Sequence, residues 1–134
     1  MSTISVVIPC KNEADNLAFL LDEVEAALAG RQFEVIVVDD GSTDRTGEVL
    51  ARRMKEKPGV FRHVRHDRSA GQSAALRSGV FAARNAIVAT MDGDGQNDPA
   101  YLPQLVDALV AAGPGAGIAA GQRLKRTDTK LKQL

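Results

Sequence analysis

The sequence has a single cysteine, Cys10, in its 134 residues, which excludes an internal disulfide and fits a reducing compartment. Cys10 reads as a small packing residue. Net charge is also lacking: seventeen basic residues cancel seventeen acidic ones, so no global field favours nucleic acid as a partner. No apolar run approaches membrane-spanning length, and the first residues, MSTISVVIPCKNE, lack the basic-then-apolar layout of a secretory signal. The expectation is a cytoplasmic chain. Gly113 and Gly115 start a G-x-G pattern, but the third glycine of a dinucleotide fingerprint would fall on Ile118. A calcium-binding EF-hand loop starting at Asp92 would need glycine and glutamate where Asn97 and Pro103 stand.

What is present is an ordinary globular composition, 44% hydrophobic and 25% charged, in a chain long enough for one domain with a proper core. Strand and helix patterns alternate along it. Ile4 to Pro9 is a β-branched run of the buried-strand type, and from about Glu13 the series Leu17, Leu20, Leu21, Val24, Leu28 keeps helical spacing as far as Gly30. Phe33 to Val38 reads as a second strand. A second helix follows, capped by Ser42 or Asp44, with Val49, Leu50 and Met54 as its core face. After Pro58-Gly59 comes a weaker strand, Val60 to Val64, then a helix through Leu76, Val80 and Phe81, then the strand Ile87-Val88-Ala89. A last helix carries Leu102, Leu105, Val106 and Leu109, with Pro103 admissible only in its first turn. Ala116 to Ala120 reads as a fifth strand. The alternation points to an α/β fold: a mostly parallel sheet with helices on both faces.

In such sheets ligands bind beyond the carboxyl ends of the strands. Three polar clusters fall at that edge: Pro9 to Glu13, Asp39 to Ser42, and Asp92 to Gln96. In an extended chain residues at i and i+2 project to one side, so Asp92, Asp94 and Gln96 offer three hard oxygen ligands suited to Mg²⁺ or Mn²⁺. By itself the D-x-D spacing fits a solvated turn as well as a metal site, and Asp39-Asp40-Gly41-Ser42 fits an ordinary strand-to-helix turn. Glu13 equally suits the positive end of the first helix. His63 and His66, three apart on one strand, would point to opposite faces and share no metal. Convergence of the three clusters is the reason to expect a site.

Taken together, Pro9-Cys10-Lys11-Asn12-Glu13, Val37-Val38-Asp39-Asp40-Gly41-Ser42-Thr43-Asp44, Gly71-Gln72-Ser73-Ala74-Ala75-Leu76-Arg77-Ser78-Gly79 and Met91-Asp92-Gly93-Asp94-Gly95-Gln96-Asn97-Asp98-Pro99 resemble, in order and spacing, the family 2 glycosyltransferases of GT-A fold. Within these the chain is most similar to the polyprenyl (dolichyl) phosphate mannosyl- or glucosyltransferase branch. The resemblance implies a nucleotide-diphospho-sugar donor, GDP-mannose or UDP-glucose, and a polyprenyl phosphate acceptor, with inversion at the transferred carbon. It places Pro9, Glu13 and Asp40 around base and ribose, Asp40 accepting a hydrogen bond from a ring N–H, with Asp39 in the same nucleotide-sugar pocket. Asp92 and Asp94 become the catalytic pair, joined by Gln96 in holding Mg²⁺ or Mn²⁺ at the diphosphate. Gly71 lets its loop close on the donor, and Arg123 matches an arginine near the phosphates.

Members of this family continue well past the position of Gly121. The expectation is therefore a nucleotide-sugar-binding domain over residues 1–121 and a basic segment over 122–134 (Arg123, Lys125, Arg126, Lys130, Lys132) leading to an absent acceptor-binding part. A lipid acceptor implies work at the cytoplasmic face of the membrane, and an unfinished sheet leaves edges and apolar surface that pair with another copy. Two other classes share features with the chain. A non-catalytic nucleotide-sugar-binding module would need the same pocket. The D-x-D-G of haloacid dehalogenase-like phosphatases resembles Asp92 to Gly95, but there the motif comes early in the chain, with Thr or Val where Gln96 stands.

Overall fold

The computed structural model describes residues 3–92 and 98–112. Strands β1 (Thr3–Cys10), β2 (Gln32–Asp40), β3 (Phe61–His66) and β4 (Ile87–Thr90) form a fully parallel sheet in the order β3-β2-β1-β4. Helices α1 (Ala14–Ala27), α2 (Thr46–Glu56), α3 (Gln72–Ala82) and α4 (Leu102–Ala112) alternate with the strands. The fifth strand expected over 116–120, and the boundary expected after residue 121, lie outside the described residues.

The near-continuous apolar runs of β1 and β2 reflect burial on both faces. Ile4, Val6 and Ile8 join Val35 and Val37 under Leu17, Leu20, Leu21 and Val24 of α1, Leu50 of α2, and Leu102 and Val106 of α4. Val7, Ile36 and Val38 face the other way, against Ala75 of α3. Three helices thus cover one face and α3 the other. Pro103 falls in the first turn of α4, after a 3-10 turn over Pro99–Tyr101 whose Ala100 N–H donates to the Asp98 side chain.

Large apolar side chains are exposed on two helices, and one of them, Met54, was expected on a core face. Val80 and Phe81 of α3 are exposed, Phe81 to 78%, because the sheet-facing positions are the small Ala75 and Gly79. A Cβ on Gly79 would collide with the Val7 side chain and come within 3.0 Å of Val38, so smallness there sets how closely α3 approaches the sheet. Phe81 lies under the Arg77 guanidinium instead. Met54 is exposed as well, since α2 turns Arg53 toward α1, where it meets Asp22, Glu25 and the Ala18 carbonyl.

Beneath the end of α3, at the amino edge of the sheet, sits a buried polar network that the sequence reading did not foresee. Glu34 accepts from the Ser5 hydroxyl (2.6 Å), Arg62 (2.9 Å) and the Arg84 N–H (2.7 Å), while Arg62 also donates to the Ala82 carbonyl. Burial acts to raise the Glu34 pKa, but the hydrogen bonds from Ser5, Arg84 and Arg62 outweigh it and hold the carboxyl below its ordinary value. Glu34→Gln keeps the shape and removes the charge; a loss of about 2 kcal/mol in unfolding free energy by urea titration is expected, and no loss would mean that the network is incidental.

Candidate functional site

The carboxyl ends of the strands are tied together by the turns that follow them. After β1, Asn12 adopts φ +55° and its side-chain oxygen accepts from the backbone N–H of Thr43 (2.8 Å) and Asp44 (3.3 Å). The Asn12 N–H donates to Ser42 Oγ, and the Glu13 N–H to Thr46 Oγ1. The N-cap of α2 is Arg45, without a side-chain cap, rather than Ser42 or Asp44; Asp44, just before it, accepts from the Thr46 N–H and also from the Ala14 N–H at the start of α1. The Thr46 hydroxyl, followed by those N–H groups, holds the Asp44 carboxyl below its ordinary range.

Pro9 is buried in β1, opposite Val38 and beyond the last β1–β4 pair, Val7 with Thr90. Its missing N–H therefore interrupts no ladder. Glu13 is half-buried and forms the N-cap of α1 without a side-chain cap; its carboxylate accepts from the Asn16 amide (3.3 Å). Cys10, between them, has its thiol pushed up to about 12 by burial and then by the carboxylates of Asp39, Glu13, Asp44 and Asp40, so it is an inert packing group.

Asp39 and Asp40 are consecutive on a strand and point to opposite faces. Asp39 is fully buried; it accepts from the Ser42 N–H (2.8 Å), pairs with Arg65 (3.2 Å) and contacts His63 (3.3 Å). It supports the edge from within instead of being presented at it. Asp40, on the α3 side, is 6% exposed. Its Oδ1 meets His66 Nδ1 (2.8 Å) and the Ala70 N–H (2.8 Å), and its Oδ2 meets the Ser69 hydroxyl (2.9 Å) and the Gly71 N–H (3.0 Å). Burial acts to raise its pKa, yet the Ala70 N–H, His66, the Gly71 N–H and Ser69 together hold it well below the carboxylate range. An ionised carboxylate only accepts, so the proton lies on His66 Nδ1, and in the neutral ring Nε2 accepts from Ser78 Oγ (2.8 Å). With two hydrogen bonds on each oxygen, a base N–H reaches Asp40 only by displacing one of these four groups.

Asp92 lies just past β4 and is half-buried; the Gln72 side-chain amide donates to its Oδ1 at 2.8 Å. Asp94, Gln96 and Arg123 lie outside the described residues. The carboxylate placed here is a hard oxygen ligand of the kind Mg²⁺ and Mn²⁺ take; among the described residues no group of three or more His, Cys, Asp or Glu side chains is placed to hold a metal. The structure thus brings Pro9, Glu13, Asp40, Gly71 and Asp92 to one edge of the sheet and keeps Asp39 beneath it. Asn12, His66, Ser69 and Gln72 also take part in this edge, although no site role was expected of them. His66 was within reach, because the β2–β3 register sets it beside Asp40. Gln72 stands in the quoted Gly71 motif but carries no signal of where its side chain goes.

The family model described as glycosyl transferase family 2 matches residues 5–132. The chain is 42% identical over 109 residues to the dodecaprenyl-phosphate galacturonate synthase of Rhizobium johnstonii, covering 79% of this chain and 32% of that protein. It is 38% identical over 132 residues to the undecaprenyl-phosphate 4-deoxy-4-formamido-L-arabinose transferase of Pseudomonas aeruginosa, covering 97% and 38% respectively. The chain therefore spans only about a third of the length of these relatives. Among solved structures, the mannosyltransferase PcManGT of Pyrobaculum calidifontis, in complex with GDP-Man and Mn²⁺, superposes with a TM-score of 0.73 at 28% identity, over 85% of this chain and 33% of that one. The parallel sheet with helices on both faces is the GT-A fold.

Proposed function

The chain belongs to glycosyl transferase family 2, and we propose that it forms the donor-binding part of an inverting, metal-assisted transferase that moves a sugar from a nucleoside diphosphate to a polyprenyl phosphate. The observation that carries this reading is the meeting of the Pro9–Glu13, Asp40 and Asp92 segments at the carboxyl edge of the sheet, in a chain whose relatives are named for transfer to polyprenyl phosphates. The names of those relatives widen the sugar beyond mannose and glucose to a uronate and a formamido pentose. The mannosyltransferase bound to GDP-Man and Mn²⁺ supports a nucleotide-sugar donor and a divalent cation.

In this reading Pro9, Glu13 and Asp40 border the base and ribose, Gly71 lets its loop approach the donor, and Arg123 lies near the phosphates. Asp92, Asp94 and Gln96 would hold the cation. When bound, Mg²⁺ or Mn²⁺ supplies positive charge against the diphosphate leaving group, so its departure needs no proton donor. A polyprenyl phosphate is already an anion at neutral pH, and its oxygen attacks without a strong general base. Such an acceptor places the reaction at a membrane surface, for which the cytoplasmic face is proposed; among the described residues no helix is long and apolar enough to cross a membrane.

Calorimetric titration of GDP and UDP, each with and without Mn²⁺, tests the reading. One nucleotide is expected to bind in a metal-dependent way, and the Asp92→Ala, Asp94→Ala double variant to lose that binding. A folded chain that takes neither nucleotide would count against the site.

A further inference from the structure

Four consecutive residues bridge two acidic groups that the sheet itself keeps apart. Asp40 ends β2 and Asp92 follows β4, with β1 between them. Ser69, Ala70 and Gly71 all donate to Asp40, and Gln72, the first residue of α3, donates through Nε2 to Asp92. The backbone that carries Gln72 is therefore fixed by a buried carboxylate two strands away, and the reach of its amide toward Asp92 is fixed with it.

We propose that Gln72 is a positioning residue for the Asp92 carboxylate, orienting it as a cation ligand; this rests on the metal-assisted reading of the edge. Three features of the contact carry the assignment. It is exposed, and an exposed amide–carboxylate bond adds little to folding because water replaces it. Its geometry is good, at 2.8 Å, and a carboxylate at a strand end needs such a partner, since ligating carboxylates are themselves hydrogen-bonded into orientation. The hydrogen-bond donor is also neutral. A lysine at position 72 would lay a positive charge on Asp92 and oppose a cation, whereas an amide turns the carboxylate plane and leaves its full charge.

The test reads Mn²⁺ directly. The electron paramagnetic resonance signal of free aqueous Mn²⁺ is followed as the 134-residue chain is added, with GDP or with UDP present, for the unaltered chain and for Gln72→Met, Gln72→Ala and Asp92→Ala. Gln72→Met keeps the side-chain length and removes the N–H. Both Gln72 variants are expected to weaken Mn²⁺ binding about tenfold or more, with thermal unfolding in the absence of metal unchanged. If they bind Mn²⁺ as the unaltered chain does while Asp92→Ala loses it, the positioning role is wrong and the metal site stands. If the unaltered chain takes up no Mn²⁺ with either nucleotide, the metal reading fails and the positioning role fails with it. A Gln72 variant that lowers thermal stability and Mn²⁺ affinity together would make Gln72 a structural residue and overturn the assignment.

Discussion

Replacing Asp40 by alanine is expected to lower the free energy of unfolding by about 3 kcal/mol or more, measured by urea titration. The carboxylate is 6% exposed and accepts from His66, Ser69 and the backbone N–H groups of Ala70 and Gly71. Alanine would leave all four polar groups without their acceptor in a partly buried pocket, and the 69–71 segment would lose its anchor to the sheet. Asp40→Asn, which keeps one oxygen acceptor but turns an NH₂ toward N–H groups, should fall between. The pH dependence gives an independent check. Because the folded pKa of Asp40 lies below its ordinary value, the unfolded chain binds the proton more readily. The stabilisation is complete above the unfolded value, about 4, and is lost as pH falls below it toward the folded pKa. The urea midpoint of the unaltered protein should therefore drop more steeply below about pH 4 than that of Asp40→Ala. Parallel acid limbs would show that the four hydrogen bonds do not favour the ionised form.

How much of this was legible in the sequence depends on the range of the interaction. The elements were legible because β1 and β2 are buried on both faces and α1 carries a full apolar stripe, Leu17 to Leu28. Periodicity reports such local regularities directly. That the chain leaving β1, β2 and β4 meets at one edge was legible because strand ends in a parallel sheet share that edge. Less legible was which of two adjacent aspartates faces which way, since that depends on the side from which α3 covers the sheet. The core face expected of α2 failed at Met54, and on α3 size is a poor guide, because Phe81 and Val80 are exposed while the small Ala75 and Gly79 permit the close approach. The Asp40–His66–Ser78 chain and the Gln72–Asp92 bond join residues 12 to 26 positions apart. No local pattern encodes them. The Glu34 network was hidden for the same reason, because a glutamate within a strand reads as a solvent-facing residue until Ser5, Arg62 and Arg84 are brought around it.

Gly41→Ala is expected to cost about 3 kcal/mol, and Gly59→Ala about 1 kcal/mol, although both replace a left-handed glycine. Gly41 has φ +76° and Gly59 φ +87°, so the backbone penalty is shared. Space separates them. A Cβ on Gly59 meets nothing within 4 Å, whereas one on Gly41 would come to 2.7 Å from the Ser69 nitrogen and 3.1 Å from the Arg68 carbonyl carbon. These are backbone atoms, which cannot swing aside as the end of a side chain would. The segment that holds Asp40 must lift instead, so the extra cost is that of weakening the Asp40 hydrogen bonds. A double-mutant cycle makes this testable: once the segment is lifted, removing Asp40 loses less, and the two changes together should cost at least 1 kcal/mol less than their sum. The same lifting carries Gln72 away from Asp92, so Gly41→Ala should also weaken Mn²⁺ binding, which Gly59→Ala leaves unchanged. Additive costs, or equal costs for the two glycines, would show that the 68–71 segment yields freely and that the turn after β2 does not set its position.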